Sequence, residues 1–397
     1  MKKITCLLFI VFCCFLPYQS CKSHSQQGRK IISSESFIYS AQEVEKLMIK
    51  PACMGDNISS QSGPLRKPDG NAGFILDSTF TVEKIKIPSD GLLITGWLYL
   101  PLLTEKCPLV VLTNGGGDGS RGIKSFSDFM APVLAHCGIA AFVHDKRGTG
   151  ESEGDYVKTT YNDYITDAGN CAVFLSGHKR INPDLIGVMG ASEGGRIAVI
   201  AASRYPEIKF VVSQAGTVVS TVEDRLYAQL NGMKDAGVLN DSTCTLVKPL
   251  WEKSFRAWES NEPADHEKVN TEILEWRKKF DRSVLPYTNY EMESIPDFRI
   301  VLPTWRSMPN DYLTELGHFK KKWLAIFGET DRVVPTEASV KNINHYMLLS
   351  GNKDYNIAVI SRMGHVPVDT ETKRMVNFHY LIINWLNENI IGNRRSL

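Results

Sequence analysis

A serine, an aspartate and a histidine stand in this sequence in an order that suits nucleophilic catalysis. Gly190-Ala-Ser-Glu-Gly194 fits the pattern G-x-S-x-G, and a predicted buried strand ends just before it, at Met189. A serine hydroxyl is a poor nucleophile at neutral pH, so it needs a base and an acid that orients the base. Asp331 and His365 each follow a later predicted strand. The sequence therefore predicts a triad in which Ser192 attacks a carbonyl carbon.

Other residues compete for the two supporting positions. In the strand–turn–helix arrangement of G-x-S-x-G, the acid and then the histidine follow the serine, which argues against His136 and His144. Glu329 is the second candidate for the acid. A structural interpretation of Asp331 also exists, because the adjacent Arg332 offers it a partner for a surface ion pair.

A glycine-rich loop is the predicted source of hydrogen-bond donors for the oxyanion. Asn114-Gly-Gly-Gly-Asp-Gly-Ser-Arg121 follows the predicted strand Pro108–Thr113. Glycines let the backbone come close to a developing negative charge, so we predict the N–H of Gly116 as one donor. The N–H of Glu193, directly after the nucleophile, is the predicted second donor. A nucleotide-phosphate loop is the rival interpretation, but the Gly-Lys-Ser/Thr ending of such loops does not follow.

Alternating strands and helices must position these groups. Apolar runs predict strands at Phe80–Ile87, Leu92–Leu100, Pro108–Thr113, Ile139–His144, Leu185–Met189, Ile208–Ser213, Trp323–Phe327 and Tyr355–Ile360. The first two form a predicted antiparallel hairpin, and helical patterns separate the others. This order predicts an α/β fold with a mostly parallel, twisted sheet and flanking helices. The carboxyl ends of parallel strands, where the triad falls, are where such folds bind ligands.

The pattern divides the chain into five parts. We predict a signal peptide at 1–21, an N-terminal tether and segment without assigned function at 22–78, a first part of the core at 79–216, a helical cap insertion at 217–322 and a second part of the core at 323–397. The insertion carries four tryptophans, which either line a substrate pocket or pack against the body of the protein: Trp251, Trp258, Trp276 and Trp305.

The first 21 residues have the features of an export signal. Lys2 and Lys3 precede an apolar stretch from Ile4 to Leu16, which is too short to span a bilayer. The small Ser20 before Cys21 resembles a bacterial lipoprotein signal, in which the cysteine is lipidated. Ordinary cleavage near the same point is the alternative. We therefore expect an exported protein of the periplasm or cell envelope, with a membrane tether if Cys21 carries lipid.

Composition restricts the other possibilities. The chain has 397 residues, 43% hydrophobic and 22% charged, with a formal net charge of +1. These values argue against disorder and against a nucleic-acid partner. Beyond the predicted signal, five widely spaced cysteines give no complete disulfide framework, and Cys137 and Cys171 are predicted to pack in the core. The mature chain has no CxxC or HExxH motif, so we expect no metal.

A charged turn, residues 145–152 (Asp-Lys-Arg-Gly-Thr-Gly-Glu-Ser), follows a further predicted strand. The turn is a candidate for a second functional site, because it lies at the same edge of the predicted sheet as the triad. We interpret it instead as a tight turn beside the nucleophile, with charged groups that pair internally.

Together these motifs resemble the bacterial esterases of the α/β-hydrolase superfamily that are related to dienelactone hydrolases and prolyl oligopeptidase-like domains. The resemblance covers residues 79–390 and includes the charged turn, G-x-S-x-G-G at 190–195 and Gly364-His365. Such esterases carry His-Gly-Ser-Gly where this chain has Asn114-Gly-Gly-Gly. The resemblance implies the α/β-hydrolase fold and hydrolysis of small carboxylic esters through an acyl-enzyme on Ser192, without cofactor or metal. The alternatives are a serine peptidase or acyltransferase with the same triad, and a non-catalytic binding protein of this fold.

Overall fold

The computed structural model describes residues 38–54, 79–102, 104–116, 126–235, 237, 239–260, 267–269, 271–272, 275 and 312–392. Several sequence predictions therefore fall outside the described residues. These are the signal at 1–21 with Cys21, the tether up to residue 37, Gly117 and Arg121 of the glycine-rich loop, and Trp276 and Trp305 of the insertion.

The described strands form one eight-stranded sheet, ordered β1-β2-β4-β3-β5-β6-β7-β8. The pairs β1/β2 and β2/β4 are antiparallel, and the other neighbours run parallel. The prediction of a mostly parallel sheet is confirmed. The strands are β1 Phe80–Ser89, β2 Leu92–Pro101, β3 Cys107–Thr113, β4 Ala140–His144, β5 Ile181–Ala191, β6 Phe210–Gln214, β7 Lys322–Gly328 and β8 Tyr355–Ile360.

Helices flank the sheet, as the alternating pattern predicts. They are α1 Ala41–Leu47, α2 Phe126–His136, α3 Tyr161–Ser176, α4 Glu193–Arg204, α5 Thr221–Asp235, α6 Asp241–Ser260, α7 Tyr312–Leu316, α8 Thr336–Ser350 and α9 Phe378–Leu386. The last helix, α9, begins at Phe378, and Met375 before it pairs with Val368 in a β-bridge. Among the described residues, no helix has the length and hydropathy that crossing a lipid bilayer requires.

The sheet separates two apolar cores. Every residue of β3 is buried, which explains its continuous apolar run. Successive side chains point to opposite faces of a strand, so Val111 enters one core while Val110 and Leu112 enter the other. The central strands are therefore held from both sides, and their carboxyl ends form a rigid edge for a site.

A disulfide joins the N-terminal segment to the body of the protein. Asn384 of α9 donates to carbonyl oxygens in residues 38–54, and Cys53 of this segment is bonded to Cys137 just after α2. Cys137 and Cys171 are both buried in the core as predicted, but the disulfide of Cys137 was not predicted. The segment brings Cys53 to α2 through long-range packing, which no cysteine spacing in the sequence reveals.

Helices α5 and α6 follow β6 and share a small core of their own. It contains Val222, Leu226 and Met233 of α5 with Val247, Trp251 and Phe255 of α6. Trp251 packs on the Phe255 ring, with 5.8 Å between ring centroids. Helix α5 also contacts the triad, because the Tyr227 hydroxyl donates to the backbone carbonyl of Asp331 at 2.8 Å.

Candidate active site

Ser192 occupies a sharp turn between β5 and α4. Strand β5 ends at Ala191 and helix α4 begins at Glu193, as the motif predicts. Ser192 has φ 55° and ψ −123°, a left-handed conformation that costs an L-residue energy. Its N–H donates to the carbonyl oxygen of Gln214 at 2.8 Å, which helps to hold the turn. The strained turn places the hydroxyl at the carboxyl edge of the sheet.

The glycines on either side of Ser192 make room for strand β3. A Cβ on Gly194 would lie 2.4 Å from the carbonyl oxygen of Thr113, and one on Gly190 would lie 2.2 Å from its Oγ1. The Thr113 hydroxyl lies within hydrogen-bond distance of the carbonyl oxygens of Met189 (3.1 Å) and Gly194 (2.8 Å). Any side chain at either glycine would push β3 away from the serine.

The three predicted residues meet in one hydrogen-bonded chain. His365 Nε2 lies 3.1 Å from Ser192 Oγ, and His365 Nδ1 lies 2.9 Å from Asp331 Oδ2. The Asp331 side chain is fully buried, and that of His365 is 19% exposed. With its proton on Nδ1, His365 donates to Asp331 and presents a free Nε2 lone pair to the serine hydroxyl. The arrangement suits proton removal from Ser192.

Backbone donors hold the second oxygen of Asp331. Its Oδ1 accepts hydrogen bonds from the N–H groups of Val333 and Val334, both at 2.8 Å. The structural interpretation of Asp331 is wrong, because Arg332 pairs with Asp235 instead, at 2.7 Å. The two backbone N–H groups therefore fix the orientation of this carboxylate, with Oδ2 facing His365.

Glu329, the second candidate for the acid, is engaged elsewhere. Its Oε2 accepts from the Ser361 hydroxyl at 2.7 Å and from the Arg362 N–H at 3.0 Å. The backbone of His365 is held separately, because Gln214 Nε2 donates to its carbonyl oxygen at 3.2 Å. The structure thus brings Asp331, and not Glu329, to the histidine.

The two predicted oxyanion donors belong to the glycine-rich loop and to the start of α4. A Cβ on Gly115 would lie 3.8 Å from the Ser192 Cβ, so the glycine-rich loop runs directly beside the serine. Gly116 follows, with nothing within 4 Å of its Cβ position. Glu193 is the first residue of α4 and directly follows Ser192. The assignment of these two N–H groups as oxyanion donors stays a prediction.

The charged turn makes a contact that the sequence analysis missed. Lys146 Nζ donates to the Gly115 carbonyl oxygen at 2.6 Å and to Glu193 Oε1 at 2.7 Å. Arg147 reaches away from the site, to Asp167 of α3 at 2.6 Å. The prediction of purely internal pairing is therefore wrong for both cations. The position of Lys146 in the sequence could have indicated this contact, because Lys146 lies two residues beyond the carboxyl end of β4.

Two other histidines are packed rather than catalytic. Burial lowers the pKa of His144 below its ordinary value, and it lowers the pKa of His379 to about 4. The His379 ring makes an edge contact with Phe129, with 5.2 Å between centroids. His144 is buried and His379 is half-buried on α9.

One stretch of the chain matches a known protein family. Residues 104–236 match the model of the family described as serine aminopeptidase, S33. This is less than half of the chain. The match contains the glycine-rich loop, the charged turn and Ser192, and it ends before Asp331 and His365.

Curated relatives match over a similar stretch. The chain is 27% identical over 139 residues to the thiohydrolase aneE of Aspergillus aculeatus, covering 34% of this chain and 42% of that protein. It is 26% identical over 133 residues to an uncharacterised protein of Mycobacterium tuberculosis, covering 34% and 45%. The matches thus span less than half the length of these relatives.

Solved structures match over a larger share of the fold. The acylaminoacyl peptidase of Pyrococcus horikoshii has a TM-score of 0.52 at 19% identity, covering 80% of this chain and 43% of that one. The esterase Pf2001 of Pyrococcus furiosus has a TM-score of 0.51 at 17% identity, covering 83% and 97%. At these identities the likeness establishes the fold. The chain therefore has the α/β-hydrolase fold, and within that fold Ser192, His365 and Asp331 form one hydrogen-bonded chain.

Proposed function

We propose that the protein is a carboxylesterase that acts through an acyl-enzyme on Ser192. The observation that carries this proposal is the hydrogen-bonded chain from Asp331 through His365 to Ser192, with distances of 2.9 and 3.1 Å. A binding module of the same fold would need neither of these two contacts. The strained backbone of Ser192 adds support, because strain of this kind persists where a function requires it.

The geometry supports a two-step reaction. His365 Nε2 takes the proton of Ser192 Oγ as the oxygen attacks the ester carbonyl carbon, and the carbonyl oxygen becomes an oxyanion held by backbone N–H groups. The C–O bond to the alcohol then breaks, and His365 returns the proton to the leaving oxygen. Water repeats the sequence on the acyl-enzyme and releases the acid. Asp331 stays ionised throughout and stabilises the imidazolium.

An ester substrate is favoured over the substrate of an aminopeptidase. Such a peptidase must bind a free α-ammonium group, for which a carboxylate is the natural partner. The carboxylate next to the nucleophile is Glu193, and the Lys146 ammonium already neutralises it at 2.7 Å. The description of the matching family supports a serine peptidase as the second candidate.

Alkyl esters and anilides separate these two candidates. We expect hydrolysis of ethyl acetate, ethyl butyrate and ethyl octanoate, with alanine and acetyl-alanine p-nitroanilides cleaved only at the background rate. Alkyl esters are used because activated aryl esters are also cleaved by many peptidases. The Ser192→Ala variant is the control, and its activity should be lost. An anilide cleaved with a kcat/KM equal to that of the best alkyl ester would contradict the carboxylesterase proposal.

We also propose that the protein is exported and that lipid on Cys21 tethers it to a membrane. The disulfide between Cys53 and Cys137 supports export, because disulfides persist in oxidising compartments. The test is expression in a bacterial host with an alkynyl fatty acid, followed by fractionation. The wild-type protein should carry the label in the membrane fraction, and Cys21→Ser should lose both. A cytoplasmic protein with free thiols at residues 53 and 137 would contradict export, and unchanged labelling of Cys21→Ser would contradict the lipid.

A further inference from the structure

Lys146 is a buried cation that connects three elements of the site. Its side chain is only 3% exposed. The ammonium donates to the carbonyl oxygen of Gly115 at 2.6 Å and to the carboxylate of Glu193 at 2.7 Å. It also lies 4.9 Å from the centroid of the Tyr164 ring in α3, a cation–π distance. Burying an ammonium is costly unless its partners are good, so these contacts define one position for Nζ.

The contact with Gly115 fixes the direction of a second group. The carbonyl of Gly115 and the N–H of Gly116 belong to one peptide unit, which is planar and trans, so they point in opposite directions. Glycine flanks this peptide on both sides, and glycine restricts backbone rotation less than any other residue. The peptide therefore needs an external anchor, and Lys146 supplies it. When the ammonium holds the carbonyl, the Gly116 N–H points away from Lys146.

The contact with Glu193 concerns the other predicted donor. Glu193 lies next to Ser192, and its carbonyl oxygen accepts from the Tyr161 hydroxyl at 3.2 Å. Lys146 holds its carboxylate, so one ammonium restrains both residues that provide the predicted N–H donors. The ion pair also neutralises a negative charge beside the nucleophile. An unpaired Glu193 carboxylate would repel the oxyanion that forms there.

We propose that Lys146 is a positioning residue for the oxyanion hole. It aims the N–H groups of Gly116 and Glu193 at the developing oxyanion and cancels the charge of the Glu193 side chain, without touching the substrate. The inference rests on the proposed serine hydrolase mechanism. Because the oxyanion exists only after attack, Lys146 acts on the transition state and leaves substrate binding unchanged.

The test compares Lys146→Met with the wild-type protein. Removing one oxyanion donor lowers kcat by about 10²–10³-fold in serine hydrolases, and we expect a loss of this order with KM little changed. A trifluoromethyl ketone, which forms a hemiketal oxyanion on the serine, should lose affinity by a similar factor, whereas the product acid should not. Lys146→Arg keeps the charge and should recover part of the loss. A merely structural role would not move kcat and ketone affinity together.

Arg147→Met is the matched control. Arg147 is the neighbouring residue and is also buried in an ion pair, with Asp167. Its guanidinium hydrogen-bonds to Asp163, Asp167 and Ser89 rather than to the described part of the glycine-rich loop, Asn114–Gly116. Its kcat should stay close to that of the wild type at a temperature below both melting points. If Lys146→Met does not fold, Lys146→Met/Glu193→Gln removes both charges and should show the same loss of ketone affinity. Equal kcat and equal ketone affinity in the Lys146 and Arg147 variants would overturn the inference.

Labelling of Ser192 with a fluorophosphonate distinguishes a failure of the proposed role of Lys146 from a failure of the proposed function. Slow labelling of Lys146→Met beside fast labelling of the wild type supports the role of Lys146, whichever bond the natural substrate contains. Equal labelling of both proteins overturns that role and leaves the serine hydrolase proposal intact. A wild-type protein that is not labelled at Ser192 overturns the proposed function itself.

Discussion

Replacing Asp331 with asparagine tests the hydrogen-bonded chain with little change in shape. The N–H groups of Val333 and Val334 point at Oδ1 of Asp331, and His365 Nδ1 points at Oδ2. In the variant, the amide oxygen must take the Oδ1 position, because two donors already face it. The amide NH₂ group then faces His365. Nδ1 must accept this hydrogen bond, which moves the ring proton to Nε2 and leaves no lone pair for Ser192.

The magnitude follows from this change of tautomer. In serine hydrolases the wrong tautomer lowers kcat by about 10⁴-fold, which corresponds to about 5.4 kcal/mol of activation free energy. We expect this loss in Asp331→Asn with KM little changed, because Asp331 is fully buried behind the histidine. The assay is steady-state hydrolysis of an alkyl ester, with the melting temperature measured for both proteins.

Glu329→Gln is the matched control for Asp331→Asn. Glu329 lies in the same loop, but its carboxylate contacts Ser361 and Arg362 rather than His365. This variant should keep a kcat close to that of the wild type. Two results would refute the reasoning: a folded Asp331→Asn with wild-type kcat, or equal losses in the two variants.

Three further predictions concern stability. The Cys53–Cys137 bond spans 84 positions, so Cys53→Ser should lower the free energy of unfolding by about 4 kcal/mol in urea titrations, and equal stability with and without reductant would contradict this. Burial lowers the pKa of His379 to about 4, so the unfolded chain binds the proton more readily and stability falls as pH falls from 7 to 5. In urea titrations between pH 7 and pH 5, the free energy of unfolding of His379→Phe should fall by about 2 kcal/mol less than that of the wild type. An equal fall in the two proteins would refute this prediction. Gly194→Ala places a Cβ 2.4 Å from the Thr113 carbonyl oxygen and should cost about 1–3 kcal/mol with loss of Ser192 labelling; a fully labelled variant of wild-type stability would be the contrary result.

The parts of the site that sequence reasoning found share a local cause. Ser192, Asp331 and His365 each follow a short apolar run that is typical of a buried strand. Parallel strands bring their carboxyl ends to one edge, so the order of strands and the residue types together locate the triad. Strand bounds differ from prediction at both ends. The largest difference is in β5, which starts at Ile181 rather than Leu185 because polar residues continue the strand.

The features that sequence reasoning missed depend on contacts between distant segments. Arg332 stands next to Asp331, yet it pairs with Asp235 of α5, because the backbone N–H groups already occupy the aspartate. Lys146 looks like part of an internally paired turn, and only the packed structure shows that it reaches the glycine-rich loop. The Cys53–Cys137 bond likewise depends on where the N-terminal segment packs. Side-chain partners of this kind follow from tertiary packing and not from spacing.

The central claim is that Ser192 forms the covalent intermediate, and mass spectrometry after fluorophosphonate labelling tests it most directly. The wild-type protein should gain one adduct, which proteolysis assigns to the peptide containing Ser192. The Ser192→Ala variant should fold with the same melting temperature, gain no adduct and lose ester hydrolysis. An adduct on another residue, or full ester hydrolysis by Ser192→Ala, would contradict the account.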